Sequence, residues 1–91
     1  MIAQLQPLRY TPAGIPVVEF RLRHESERDE AGARRKVEAV IDAIAFEAQA
    51  RLLAQSALGR PLKAEGFLSV KSRRSSKPVL HVTNIEFIEG N

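Results

Sequence analysis

The segment from Gly66 to Phe87, which reads GFLSVKSRRSSKPVLHVTNIEF, restricts the fold more than any other part of the chain. Two strand-like runs flank a short loop, a pattern that predicts a β-hairpin. The loop contains no acid and four cations with serines between them: Lys71, Arg73, Arg74 and Lys77. Charges this crowded stay unburied, so they face either solvent or a polyanion such as a phosphate backbone. The hairpin alone leaves a solvated tip and a phosphate-binding tip equally open.

The composition describes one small domain whose charges are unevenly distributed. Its 91 residues are enough for a single hydrophobic core, and 14 cations against 11 acids give a net charge of +3. Six cations and one acid lie between Arg60 and His81, whereas the segment from His24 to Glu30 is mainly acidic. This polarity predicts one basic face. The chain has no cysteine, which excludes disulfides and thiolate chemistry and suits a reducing compartment.

Five segments have the residue pattern of β-strands: 1–9, 17–24, 35–46, 62–70 and 79–88. The first is predicted to be an edge strand broken at Pro7. The third fits a helical period as well, but its β-branched residues favour a strand. Gly66, inside the fourth, predicts a bend or a β-bulge.

Three segments connect these strands. Residues 10–16, YTPAGIP, predict a turn of defined shape because proline and glycine fix its backbone. The polar residues from His24 to Arg34 predict a mobile loop. Residues from Glu47 to Leu58 predict a short helix, since they include no β-branched residue and are followed by Gly59 and Pro61.

This order of elements predicts an all-β protein, a five-stranded Greek-key barrel of the OB-fold type with a short helix between the third and fourth strands. A single domain over residues 1–91 is expected. OB-folds bind oligonucleotides with the loops between strands 1 and 2 and between strands 4 and 5. No apolar run approaches the roughly 20 residues of a membrane span. The N-terminus lacks the pattern of a signal peptide. We therefore expect a cytoplasmic protein without a membrane partner.

Catalytic motifs find little support, so an enzyme is not expected, nor any cofactor or metal. The histidines His24 and His81 lie on predicted strands, without neighbouring acids or cysteines at metal-ligand spacing. The loop serines flank arginines and do not form a G-x-S-x-G turn. They are interpreted as spacers or as hydrogen-bond donors to phosphate.

Nucleic-acid binding has more candidates. Besides the hairpin cations, Arg9 precedes the 10–16 turn, and a second basic cluster consists of Arg34, Arg35 and Lys36. That cluster also fits a solvated loop end. Aromatic residues are only 5% of the chain, so binding should depend on charge and weaken with salt. Tyr10 and Phe67 are the candidates for base stacking, whereas the core is expected to take Phe20, Phe46 and Phe87.

Three segments carry, in order, a family resemblance: TPAGIPVVEFRLRHES, then EAG with a basic run after it, then GFLSVKSRRSSKPVLHVTNIEFIE. Their order and spacing, more than any single piece, resemble primosomal replication protein N, the PriB family. The resemblance implies an OB-fold homodimer, similar to single-stranded DNA-binding proteins, that acts in replication restart. The partners it implies are single-stranded DNA and, within the primosome, the PriA helicase. By position, the cations that match basic DNA-contacting sites are Arg9, Lys71, Arg73, Arg74 and Lys77, while 34–36 match only approximately.

Two departures from the family pattern have consequences. Members of the family begin with most of a first strand ahead of the point where this chain starts, which predicts a truncated first strand and an altered dimer. An aromatic residue of some members falls near Glu38, and an acid there predicts weaker DNA binding. The alternative from another class is a protein-interaction adaptor whose basic face binds an acidic protein surface.

Overall fold

The structure is a computed structural model that describes the backbone of residues 1–72 and 75–88 and the side chains of 1–70 and 77–88. Within these ranges the chain forms six strands and one helix, in the order β1 (Ile2–Leu5), β2 (Arg9–Tyr10), β3 (Pro16–Glu30), β4 (Ala33–Phe46), α1 (Glu47–Ala54), β5 (Leu62–Ser72) and β6 (Ser75–Phe87). In the same ranges no helix is long and apolar enough to cross a membrane.

The strands form one sheet in the order β1-β3-β4-β6-β5, with β2 paired to β3. All pairs are antiparallel except β4 with β6, which run parallel because α1 and β5 lie between them in sequence. Backbone hydrogen bonds link Ile2 to Gly59 and Arg60, just before β5, and so connect the first strand to the other edge of the sheet. The predicted five-stranded OB-fold barrel is confirmed, with its first strand interrupted at Pro7 as β1 and β2.

The core lies inside the barrel, beneath α1. Along β3 the side chains alternate, so Val18 and Phe20 point into the core while Glu19 and Arg21 point outward. The helix contributes Ala50 and Leu53 to the same cluster. Each fully buried aliphatic side chain of this kind stabilises the fold by about 1.5–3 kcal/mol. The core includes Ile2, Val18, Phe20, Ala43, Ala45, Ala50, Leu53, Val82 and Ile85.

The prediction of a mobile loop from His24 to Arg34 is wrong. β3 continues to Glu30 and β4 begins at Ala33, so the segment is an antiparallel hairpin closed by a two-residue turn. Both turn residues have positive φ, 53° at Ala31 and 80° at Gly32, as a type I′ hairpin requires. From His24 to Val40 every residue except Ser26 is exposed. An arm with two solvated faces has no apolar alternation, so its sequence reads as a loop.

The two long hairpins give the molecule a flat, extended shape of 53 × 40 × 18 Å. Its radius of gyration is 14.9 Å, above the roughly 12 Å expected of a compact 91-residue domain. We call the β3–β4 hairpin from Arg23 to Val40 the β3–β4 arm. The paired ends of β5 and β6, from Phe67 to Ser72 and from Ser75 to His81, are called the β5–β6 arm. The arms extend the sheet beyond its core.

Three local predictions can be compared with the structure. A register shift between Glu65 and Gly66 confirms the bulge. The helix stops at Ala54, four residues earlier than predicted, because the backbone tightens there and the Ser56 hydroxyl donates to the carbonyl of Leu52 at 2.9 Å. The assignment of Phe46 to the core is wrong, since its side chain lies on the outer face of β4 and is 36% exposed.

Candidate nucleic-acid interface

A groove crosses the outer face of β3 and β4, between the β1–β2 segment and the first residues of β6. Strand register forms it: Arg21 pairs with Gln4 on one side and Asp42 on the other, and Asp42 pairs with Val79. Directly paired residues share a face of the sheet, so this row lies opposite the core. The groove has a volume of about 520 Å³. A second depression of about 370 Å³ shares Arg21, Asp42 and Lys77 with it.

Charges of both signs line the groove. Its cations are Arg9, Arg21 and Lys77, and its acids are Glu19 and Asp42. The Arg21 Nε donates a hydrogen bond to Asp42 Oδ1 at 2.9 Å, whereas Arg9 is 3.8 Å from the Glu19 carboxylate. Lys77 is exposed and forms no ion pair with another described residue. Lys77 and Arg9 are therefore the groove cations most available to an anionic ligand.

Three rings stand side by side on the same outer face, across β4, β6 and β5. The His81 imidazole is stacked with Phe67, with centroids 5.1 Å apart and planes 14° apart. Phe46 is stacked on its other side at 6.2 Å. Phe67 is 57% exposed, so one side of this row is open to solvent. We call Phe46, His81 and Phe67 the ring row.

The structure brings some of the predicted residues together and separates others. Arg9 and Lys77 line the groove. Tyr10, on β2, is 58% exposed and pairs with Pro16 of β3, but within the described part of the chain it is not among the groove-lining residues. The predicted cations Arg73 and Arg74 lie outside the described residues, and at Lys71 only the backbone is described.

Sequence reasoning missed several groove residues. Gln4, Gln6 and Asp42 are not among the candidates predicted from the sequence. A usable signal existed for Asp42, because strict alternation on β4 places it opposite the core residues. The sequence gives no such signal for Gln4 and Gln6, since nothing in it shows which residues of the first strand pair with Arg21.

The second predicted cluster, Arg34 to Lys36, lies on the β3–β4 arm beside acids. Arg34 contacts Glu27 at 3.5 Å and Asp29 at 3.9 Å, and Arg35 contacts Glu30 at 3.2 Å. Lys36 lies 3.4 Å from Glu38 and 4.0 Å from Glu25. The structure therefore places these three cations in ion pairs within the arm, apart from the groove-lining residues described above.

Comparison with known proteins identifies the family. The model of a family described as "Another single-strand binding protein family" matches residues 1–84. Replication restart protein PriB of Bordetella pertussis is 43% identical over 84 residues, which cover 92% of this chain and 78% of that protein. PriB of Neisseria meningitidis serogroup A is 42% identical over 90 residues, covering 99% and 89%. The chain belongs to the PriB family.

Solved structures agree with this assignment. PriB from Ralstonia solanacearum superposes with a TM-score of 0.79 at 32% identity, covering 96% of this chain and 89% of that one. The single-stranded DNA binding protein from Thermus aquaticus gives a TM-score of 0.74 at 23% identity, covering 98% and 48%. At that identity the second likeness shows the fold alone. The family resemblance predicted from the sequence is confirmed.

Glu38, the acid predicted to weaken DNA binding, lies beside two cations. The Arg23 guanidinium donates a hydrogen bond to its Oε1 at 3.1 Å, and Lys36 lies 3.4 Å away. The hydrogen bond and charge of Arg23, followed by Lys36, lower the pKa of Glu38 below its ordinary value. The acid is therefore ionised at neutral pH, with its charge compensated by two neighbours.

Proposed function

We propose that this PriB-family chain is a non-catalytic, single-stranded DNA-binding protein of replication restart. The observation that carries the proposal is the groove on the outer face of β3 and β4, lined by Arg9, Arg21 and Lys77. This is the face on which OB-folds bind oligonucleotides, and it is bordered by the loops between strands 1 and 2 and between strands 4 and 5 of that fold. In this chain the first loop joins β2 to β3 and the second joins β5 to β6. A single strand laid along this face would meet cations from three separate elements.

Two physical terms would provide the affinity. Cations that neutralise phosphates release counterions, which makes binding strongly dependent on salt. Exposed rings add stacking of about 1–3 kcal/mol per base. Phe67, at the open end of the ring row, is the side chain best exposed for this, and Tyr10 is a second candidate. The hairpin cations Lys71, Arg73 and Arg74 are proposed to continue the basic path beyond Lys77.

The partners beyond DNA follow from family membership. We propose that the chain acts in the cytoplasm as a homodimer and joins the PriA helicase in the primosome. Sedimentation velocity across a range of protein concentrations tests the dimer. Co-sedimentation with purified helicase tests the complex, and a protein that sediments as a monomer unaffected by the helicase contradicts both.

The DNA proposal is tested by fluorescence anisotropy of labelled oligo-dT at several salt concentrations. The groove variant is Arg9→Gln with Lys77→Gln, and the matched control is Arg51→Gln with Lys63→Gln, which removes the same charge elsewhere. Losing two phosphate contacts should reduce the slope of log affinity against log salt by about 1.4, since each single-strand contact contributes roughly 0.7. Absence of binding even at low salt refutes the proposal. Equal losses in both variants would mean that the groove is not the site.

A protein-interaction adaptor is the second candidate, favoured by one observation. The groove carries Asp42 and Glu19 beside its cations, and Arg21 is already bonded to Asp42. Such mixed charge suits a protein surface as well as it suits phosphates. Binding to an acidic partner protein, with no binding to oligo-dT at any salt concentration, would favour the adaptor.

A further inference from the structure

The β3–β4 arm is electrically neutral although it contains many charges. The segment from Arg23 to Val40 contains five cations and five acids, so the whole net charge of +3 lies outside the arm. Nine cations and six acids make up the remainder. A long-range field that attracts DNA therefore comes from residues outside the β3–β4 arm.

Strand register on the arm sets two pairs of opposite charge and two pairs of like charge directly across from each other, the like pairs being Arg28 with Arg35 and Glu25 with Glu38. Lys36 is the direct cross-strand partner of Glu27, and Arg34 is that of Asp29. Next to the turn, Arg35 Nη1 donates a hydrogen bond to Glu30 Oε2 at 3.2 Å, across the two strand ends. A slip of one residue would disrupt these pairs, so the Ala31–Gly32 turn that fixes the register also fixes the pairing.

Each cation of this cluster has an acid within 4 Å, and two of the three have a pair of acids. Arg34 lies between Glu27 and Asp29, and Lys36 lies between Glu25 and Glu38. An exposed ion pair of this kind is individually weak. A phosphate that takes the place of one carboxylate, however, lies close to that displaced carboxylate and to the second acid beside the same cation. Like charges at that distance repel, so the phosphate gains less here than at an unpaired lysine.

We propose that Glu27, Asp29 and Glu30 determine where DNA binds, by pairing with the arm cations Arg34 and Arg35 and keeping them from phosphates, while Glu25 and Glu38 pair with Lys36. The proposal rests on the proposed function and narrows its site: the groove cations, rather than Arg34, Arg35 and Lys36, bind the phosphates. The three acids act as affinity-determining residues without touching the ligand. They also make the sequence cluster RRK a poor guide to the interface.

The test removes the acids and asks whether the cations become available. The arm variant is Glu27→Gln, Asp29→Asn and Glu30→Gln, measured by anisotropy with labelled oligo-dT across a salt series. The matched control, Glu47→Gln with Glu86→Gln and Glu89→Gln, makes the same change in net charge outside the arm. Two freed cations, Arg34 and Arg35, should tighten binding about fivefold at low salt and steepen the salt slope by about 1.4, at roughly 0.7 for each contact. The control should change affinity by less than about twofold, since its charges lie elsewhere.

A second pair of variants keeps the result attributable to the cluster. Arg34→Gln, Arg35→Gln and Lys36→Gln are introduced into the wild type and into the arm variant. They should leave wild-type affinity nearly unchanged and abolish the gain of the arm variant. Equal loss in both backgrounds, or an arm variant that binds no better than the control, overturns the proposal while the wild type still binds DNA. If neither the wild type nor the arm variant binds, the proposed function fails as well.

Discussion

The aromatic ring of Phe67 lies parallel to the imidazole of His81, with centroids 5.1 Å apart and an angle of 14° between the planes. The two residues are direct partners across β5 and β6, which places their side chains on the same outer face. Phe46 supports His81 from β4. A ring fixed upright in this way loses little conformational entropy when a base stacks on it, which is what a stacking site needs.

Replacing Phe67 by leucine should weaken binding of oligo-dT by roughly 5- to 100-fold, the range of one lost base stack, without changing the salt slope. Stability should change little, because the side chain is 57% exposed. Anisotropy at fixed salt measures the first effect and thermal unfolding the second. Leu58→Ala is the control, since Leu58 is 63% exposed and lies outside the ring row. An equal loss in both variants would contradict a stacking role.

The backbone of β6 approaches Gly66 of β5 closely. A Cβ added there would overlap the carbonyl oxygen of His81 and lie 2.8 Å from its carbonyl carbon. Backbone cannot yield as a flexible side chain can, so Gly66→Ala should cost about 2–3 kcal/mol of unfolding free energy. The melting temperature should fall by roughly 10–20 °C in a domain of this size.

Gly14 provides the comparison for Gly66. Its φ is 82° and a Cβ there would meet nothing within 4 Å, so Gly14→Ala adds only backbone strain of about 1 kcal/mol. Urea denaturation of both variants separates the two causes. If the two substitutions cost the same free energy, the close approach of Gly66 to His81 has been overestimated.

Elements with one buried face could be predicted from the sequence. The alternation around Phe20 identified β3, and the β-branched residues before Phe46 decided for a strand where two periods were possible. Pro7 marked the break in the first strand. In each case the physical cause is local: a buried face, a stiff side chain or a missing N–H donor.

The arm and the groove could not be predicted in the same way. His24 to Glu30 lacks apolar alternation because solvent covers both faces of the arm, so hydrophobic periodicity gives no signal there. Its hairpin is encoded in the Ala31–Gly32 turn and in cross-strand charge pairs, which only register reveals. The groove depends on contacts between distant segments, such as Gln4 beside Arg21, that no single stretch of sequence contains.

Arg23 should control the titration of Glu38. Because the folded pKa of Glu38 is lowered, its ionised form stabilises the fold above the unfolded pKa, and this contribution is lost as the pH falls through the folded pKa. Arg23→Gln should raise the Glu38 pKa, as measured by carboxyl-carbon NMR. The stability difference between wild type and variant should be largest at neutral pH and shrink in acid. Arg23 also contacts Glu25 at 2.8 Å.

The comparison is therefore repeated in a Glu38→Gln background, where the part of the pH dependence that depends on Glu38 should disappear. An unchanged Glu38 midpoint in Arg23→Gln would show that the 3.1 Å hydrogen bond between them is not maintained in solution.

The turn of the β3–β4 arm should respond in opposite directions to two substitutions. Ala31 has a φ of 53°, where a β-carbon is strained, and asparagine tolerates this conformation better. Ala31→Asn should stabilise the arm by about 0.5–1 kcal/mol. Gly32→Ala, at a φ of 80°, should destabilise it by about 1 kcal/mol.

An exposed arm can open without global unfolding, so the melting temperature is a poor measure of these two effects. Amide hydrogen exchange of the arm is the direct one: protection should rise two- to fivefold in the first variant, since RT is about 0.6 kcal/mol, and fall in the second. Core amides such as that of Phe20 serve as the internal control, and arm protection that is equal in both variants would contradict the positive-φ turn.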